Sequence, residues 1–179
     1  GISDELTALS KFKEMKELAK TDGGARKSKI TGIPKLDDAN KAGTAQSKKC
    51  TLIVTEGDSA KTLAVAGLSV VGRDHYGVFP LRGKCKNVRD ASVAQLTGNQ
   101  EFNDLKKILG LQQGKEYNDV SELRYGRLMI MTDADNDGSH IKGLILNMID
   151  YFWPSLLKLG FVVSMVTPII KASRGNQTK

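Results

Sequence analysis

With two cysteines, two histidines and four prolines in 179 residues, the chain has few of the residues that mark several chemistries. Cys50 and Cys85 form neither a CxxC pair nor a Cys/His cluster, which argues against a disulfide framework or a zinc site and fits a reducing compartment. His75 and His140 have no acid and nucleophile at a recognisable spacing, so a hydrolase triad is not indicated. His75 reads as a surface group, whereas His140 could orient a carboxylate or phosphate. Long apolar runs are also missing. The most apolar region, Ile141 to Ile170, is interrupted by Lys142, Asp150, Pro154, Lys158 and Pro168, so a soluble chain without membrane contact or secretion signal is expected. Neither internal repeats nor low-complexity tracts occur.

What is abundant is positive charge: 27 Lys and Arg oppose 20 Asp and Glu, with a sequence pI near 9.4. Such a balance favours a polyanionic partner such as nucleic acid. With 40% hydrophobic residues the chain can build one core. The basic residues 1–48 read as a connector and lead-in, 49–172 as the folded domain, and 173–179 as a flexible tail. Within the lead-in, an amphipathic helix is expected from Leu9 to Leu18, followed by a flexible stretch from Lys20 to Lys29.

Beyond residue 49, β-branched runs alternate with helical patterns. "CTLIVTEG" (50–57) predicts a buried strand, and Ala60, Leu63, Ala64 and Gly67 have helical spacing behind it. Tyr76 to Leu81 is a second strand, Glu101 to Gly110 a helix ending in glycine, and Arg127 to Asp133 a third strand. Ile141, Leu144, Ile145 and Met148 define a helix over 139–152, Pro154 starts another, and Phe161 to Ile170 is a last strand. This alternation predicts an α/β fold with a mainly parallel central sheet flanked by helices. Sites in such sheets gather at the carboxyl ends of the strands.

Two motifs fall at such ends. "MTDADNDGSH" (131–140) crowds Asp133, Asp135 and Asp137 into five residues. Two carboxylates about 6 Å apart repel by about 3 kcal/mol at an effective dielectric of about 20, so a compensating cation is expected. In an extended chain the period-2 spacing points all three to one side, where Glu56 from "TEGDSA" could complete an oxygen cage. Oxygen ligands without His or Cys select Mg²⁺ or Mn²⁺ over zinc. A turn rich in Asp, Asn and Gly is commonly only a solvated loop, but the second acidic motif argues for a site. The spacing also fits the first half of a calcium loop, which fails at its twelfth position, Leu144, where a bidentate Glu is required.

"FPLRGKCKNVRD" (79–90) carries Arg82, Lys84, Lys86 and Arg89 with no acid before Asp90, a strip suited to a phosphate backbone. Gly83 permits close approach and Asn87 adds a neutral hydrogen-bonding group. It is not a nucleotide P-loop: five residues instead of four separate Gly77 from Gly83, and Cys85 stands where Ser or Thr would bind Mg²⁺.

Taken together, "EGDSAKTLAVAGL", "GVFPLRGK", "NVRDAS" and "MTDADNDGSHIKGLILN" resemble the Toprim domain of type IIA DNA topoisomerases, in its eukaryotic topoisomerase II form. "GIPKLDDANKAG", "WPSLL" and "TPII" extend the resemblance over about 30–172. It implies a Toprim, Rossmann-like fold and an enzyme that cuts one duplex, passes another through and reseals it with Mg²⁺ and ATP. By the same resemblance Glu56, Asp133 and Asp135 fall on metal ligands, with Asp133 shared by two ion positions and Asp137 in support. Lys84 and Asn87 fall on DNA contacts, with Arg82 and Gly83 lining the same region, and Glu56 on a proton donor or acceptor for the leaving 3′-oxygen. Lys86 departs from the family, which usually carries an apolar residue there.

The family's tyrosine nucleophile, in a winged-helix region, and its ATPase domain have no counterpart here: Tyr76, Tyr117, Tyr125 and Tyr151 lie in no segment resembling the former. The expectation is therefore an excised piece of a nuclear, homodimeric enzyme acting on double-stranded DNA, inactive by itself. Two alternatives stay open: a free-standing Toprim-type Mg²⁺-dependent nuclease or primase-like protein, and a nucleic-acid-binding module with a structural ion.

Overall fold

The computed structural model describes residues 1–23, 28–81, 87–132, 136–166, 173–174 and 177–178. Four parallel strands form its centre: β1 (Thr51–Glu56), β2 (Tyr76–Leu81), β3 (Arg127–Thr132) and β4 (Val162–Val166), in the spatial order β2-β1-β3-β4. Six helices accompany them among the described residues: α1 (Ile2–Ala19), α2 (Gly57–Val71), α3 (Val93–Thr97), α4 (Gln100–Leu109), α5 (Asn136–Phe152) and α6 (Pro154–Lys158). A two-residue antiparallel ladder, Ser173–Arg174 against Gln177–Thr178, follows β4. The α/β fold with a parallel sheet is the one expected from the alternating pattern.

Period-2 alternation assigns the strand residues to two faces. Leu52 and Val54, Phe79 and Leu81, and Leu128 and Ile130 join the larger core, which Ile141, Ile145, Met148 and Ile149 of α5 enter from the helix side. Val78 and Met131 turn the other way and pack with Ala64 and Leu68 of α2. Helices therefore cover both faces, as a parallel sheet requires. The helices that follow β1 and β3 lie on opposite faces although these strands are neighbours.

The lead-in residues are built into this frame. Asp37 and Val78 exchange backbone hydrogen bonds of 2.9 and 2.8 Å, so the chain closes the outer edge of β2. Asp38 receives the buried Arg124 guanidinium at 2.6 Å and the Tyr125 hydroxyl, and Arg124 also donates to the Ile108 carbonyl at 3.0 Å. Asp37 meets Lys61 of α2 at 2.9 Å. Gly77 lies so close to this knot that a Cβ there would collide with the Tyr125 hydroxyl.

Three differences from the expected elements have local causes. Helix α1 starts at Ile2 instead of Leu9, since no Gly or Pro interrupts 2–19 and helix formers suffice without an apolar face; Leu18 is its only buried residue. Helix α3 has no expected counterpart, yet Ser92 and Gln95 form a capping box whose S-x-x-Q spacing signals it. Helix α5 begins at Asn136, three residues before the expected Ser139. The predicted extension of β4 past residue 166 lies outside the described residues. No described helix is long and apolar enough to cross a membrane.

Candidate functional site

Strands β1 and β3 end side by side. Thr55 pairs with Met131, so Glu56 and Thr132 are the next residues at the carboxyl ends of adjacent strands, about 4.8 Å apart across the ladder. On the other side Glu56 pairs with Leu81, the last residue of β2. Thr132 leads directly into Asp133, and Leu81 directly into Arg82. The acidic and basic motifs thus leave the sheet on either side of Glu56.

This edge is the topological switch point of the sheet. The helices after β1 and β3 diverge to opposite faces, and folds of this kind bind ligands at such a point, outside the carboxyl ends of the strands. Both α2 and α5 begin there, at Gly57 and Asn136. Their N-terminal ends carry partial positive charge, which favours carboxylates and phosphates at this edge.

Of the expected site residues, Glu56 and Asn87 are within the described set. Glu56 is half-buried at the point where the extended backbone turns into α2. Asp133, Asp135 and Lys84 lie outside the described residues, as do Arg82, Gly83 and Lys86. Asp137 and His140 belong to the first turns of α5, and their side chains lie outside the description. His75 is half-buried and meets the Gln46 side-chain oxygen at 3.2 Å.

Asn87 occupies the centre of a network that no local pattern announces. Its Oδ1 accepts from Asn147 Nδ2 at 2.9 Å and from the Arg89 backbone N–H at 3.2 Å, while its Nδ2 donates to Asp90 at 2.7 Å. Arg89 Nε donates to Asn147 Oδ1 at 2.6 Å, its terminal nitrogen reaches Asp150 at 3.0 Å, and its guanidinium lies 5.7 Å from the Tyr151 ring centre. The hydrogen-bonded partners on α5 are 58 to 61 residues away, which is why the motif alone does not show them. An amide has two N–H donors and two acceptor lone pairs, so Asn87 can hold Asn147 and Asp90 and still offer an N–H to a phosphate.

The donor chemistry fits a hard divalent ion. Glu56 supplies a carboxylate at this edge, the sequence carries two more, Asp133 and Asp135, directly after Thr132, and no thiol or imidazole is among these three. Away from this edge, burial pushes the Tyr117 phenol up to about 12 and lowers the Lys106 ammonium.

Comparison with known proteins identifies the family and the fold. The Toprim domain family model matches residues 51–166. DNA topoisomerase 2 of Pisum sativum is 61% identical over 179 residues, covering 99% of this chain and 12% of that protein. DNA topoisomerase 2-beta of Homo sapiens is 57% identical over 180 residues, covering 99% of this chain and 11% of that protein. Among solved structures, the Plasmodium falciparum topoisomerase II DNA-binding, cleavage and re-ligation domain superposes with a TM-score of 0.80 at 59% identity, over 86% of this chain and 21% of that one. The chain therefore spans about an eighth of the length of these full-length relatives.

Proposed function

Since the chain belongs to the Toprim family, in the form carried by eukaryotic DNA topoisomerase II, we propose that it supplies the metal-holding part of a centre that cleaves and religates double-stranded DNA. The observation that carries this is the pairing of β1 and β3, which sets Glu56 beside the start of the acidic motif at the switch point.

In this proposal Glu56, Asp133 and Asp135 hold Mg²⁺, for which Mn²⁺ can substitute, and Asp137 supports the set. When bound, the ion offsets charge on the scissile phosphate and its leaving oxygen. Glu56 also exchanges a proton with the leaving 3′-oxygen. Lys84 and Asn87 grip the DNA backbone next to the cut, and Arg82, Gly83 and Lys86 extend that strip. The N-termini of α2 and α5 add positive potential where the phosphate is drawn in.

Attack on the phosphorus falls to a tyrosine of a winged-helix region outside this chain, and ATP is used by a further domain of a full-length homodimer acting in the nucleus. The sequence from Gly1 to Lys179 is a segment of that enzyme and does not relax supercoils alone.

The test is Asp133→Asn with Asp135→Asn in the full-length protein. Cleavage is expected to collapse while DNA affinity is largely kept. Intact cleavage would favour a binding module with a structural ion, and metal-dependent cutting by the 179-residue chain alone would favour a nuclease. For the second role of Glu56, Glu56→Gln is expected to slow religation; a normal religation rate would refute it.

A further inference from the structure

We propose that Arg89 is a positioning residue, which holds the chain just after the basic motif against the helix that follows the acidic motif and so keeps the DNA grip and the metal site at one spacing. The inference rests on the proposed metal and DNA roles of the two motifs and gives Arg89, read from the sequence as part of the basic strip, a positioning role instead.

Three observations converge on Arg89. It stands two residues past Asn87, where the described chain resumes after the basic motif, while Asn147, Asp150 and Tyr151 lie on or next to the last turns of α5. A single guanidinium spans all three: Nε donates to Asn147 at 2.6 Å, a terminal nitrogen to Asp150 at 3.0 Å, and Cζ lies over the Tyr151 ring, 5.7 Å from its centre. Asn147 passes the link on, since the amide whose oxygen takes Arg89 uses its nitrogen to hold Asn87 at 2.9 Å.

The clamp adds little to stability. Arg89 and Asp150 are 52% and 50% exposed, and ion pairs so open to water are weak. Its geometry is the informative part. A planar fork that satisfies two acceptors at fixed angles and stacks on a ring specifies a relative position, which a lysine cannot do. Helix α5 runs unbroken over 17 residues and starts directly after residue 135, so fixing Asn147 and Asp150 against Asn87 relates the two motifs through one element. The backbone of this segment is further locked where the Asp90 and Ala91 N–H groups donate to the Asn87 carbonyl at 3.2 and 3.0 Å.

The experiment uses the full-length protein with Arg89→Ala, Arg89→Lys and Asn147→Asp, beside wild type and Glu56→Gln. Four quantities are measured: melting temperature, DNA affinity, Mn²⁺ affinity by electron paramagnetic resonance, and single-turnover cleavage. For Arg89→Ala, cleavage is expected to fall about 10- to 100-fold, the loss typical of a misplacement near 1 Å. Melting temperature should stay within about 3 °C and DNA affinity within about threefold, as expected for an exposed pair. Arg89→Lys should fall between Ala and wild type. Asn147→Asp, which keeps the acceptor for Arg89 and sets a carboxylate against the Asn87 oxygen, should lose cleavage too. Mn²⁺ affinity separates the failures: if Glu56→Gln binds Mn²⁺ and cleaves like wild type, the metal-site reading is wrong. If Glu56→Gln is defective while Arg89→Ala cleaves at the wild-type rate, the positioning role alone is overturned. Should Arg89→Ala not fold, Arg89→Lys decides, and wild-type cleavage by it overturns the proposal.

Discussion

The Nζ of Lys106, fully buried on α4, lies 2.6 Å from Oδ1 of Asp22 just past the end of α1. The same ammonium donates to the Leu18 carbonyl at 2.8 Å and to Thr21 Oγ1 at 2.9 Å. One cation from the core therefore ties down the C-terminal end of a helix whose other residues are mostly exposed. Its position suits the partial negative charge of a helix C-terminus.

Lys106→Ala is expected to destabilise the fold by about 3 kcal/mol, because it leaves the Asp22 carboxylate without its cation in a largely dry site. Lys106→Met combined with Asp22→Asn should recover most of the loss, since no uncompensated charge is then buried. Urea unfolding of the two variants and wild type checks both statements.

Alkaline stability should depend on Tyr117. Burial is the main cause that pushes its phenol up to about 12, while an unfolded tyrosine titrates near 10. The folded state holds the proton longer, so stability present below about pH 10 is lost as pH rises toward about 12. Two pH units correspond to about 2.7 kcal/mol. Tyr117→Phe should flatten this slope in urea midpoints taken across that window, although it also removes the 2.9 Å bond that the Gln112 N–H donates to the phenol oxygen. An unchanged slope would refute the assignment.

Gly77→Ala is expected to cost about 2 kcal/mol or more, because its methyl group meets the Tyr125 hydroxyl, the Asp37 carbonyl oxygen and the Ala39 nitrogen. Adding Tyr125→Phe removes one of these contacts but also the hydroxyl that serves Asp38 and the Ala39 N–H, so it should restore little of the stability. Thermal melts of the single and double variants distinguish the clash from a general loss of strand propensity.

A crystal soaked in Mn²⁺ should give anomalous peaks beside Glu56, and Asp133→Asn should weaken them. Peaks confined to other carboxylates would contradict the assignment of the site.

How far the sequence alone reaches can be judged from particular elements. Strand β2 was legible residue for residue, because "YGVFPL" is a β-rich run bounded by polar residues. Helix α4 was legible through its apolar face and Gly110, whose φ of 75° makes the left-handed stop. The start of α1 was not, since a mostly solvated helix has no apolar periodicity to mark where it begins. The acidic and basic motifs were visible as charge patterns, but the Arg89 clamp was not, its partners being 58 and 61 residues away.

The sequence by itself determined the element types and the chemistry on offer. Side-chain period and capping residues are local properties, and carboxylates without His or Cys already limit the ion that could bind. Tertiary structure decided what meets what. Only the strand order β2-β1-β3-β4 puts Glu56 next to the end of β3, and only the packing of α5 brings Asn147 to Asn87 and Arg89. Strand neighbours and long-range hydrogen bonds follow from the simultaneous burial of both sheet faces, a global condition that no short stretch of the chain encodes.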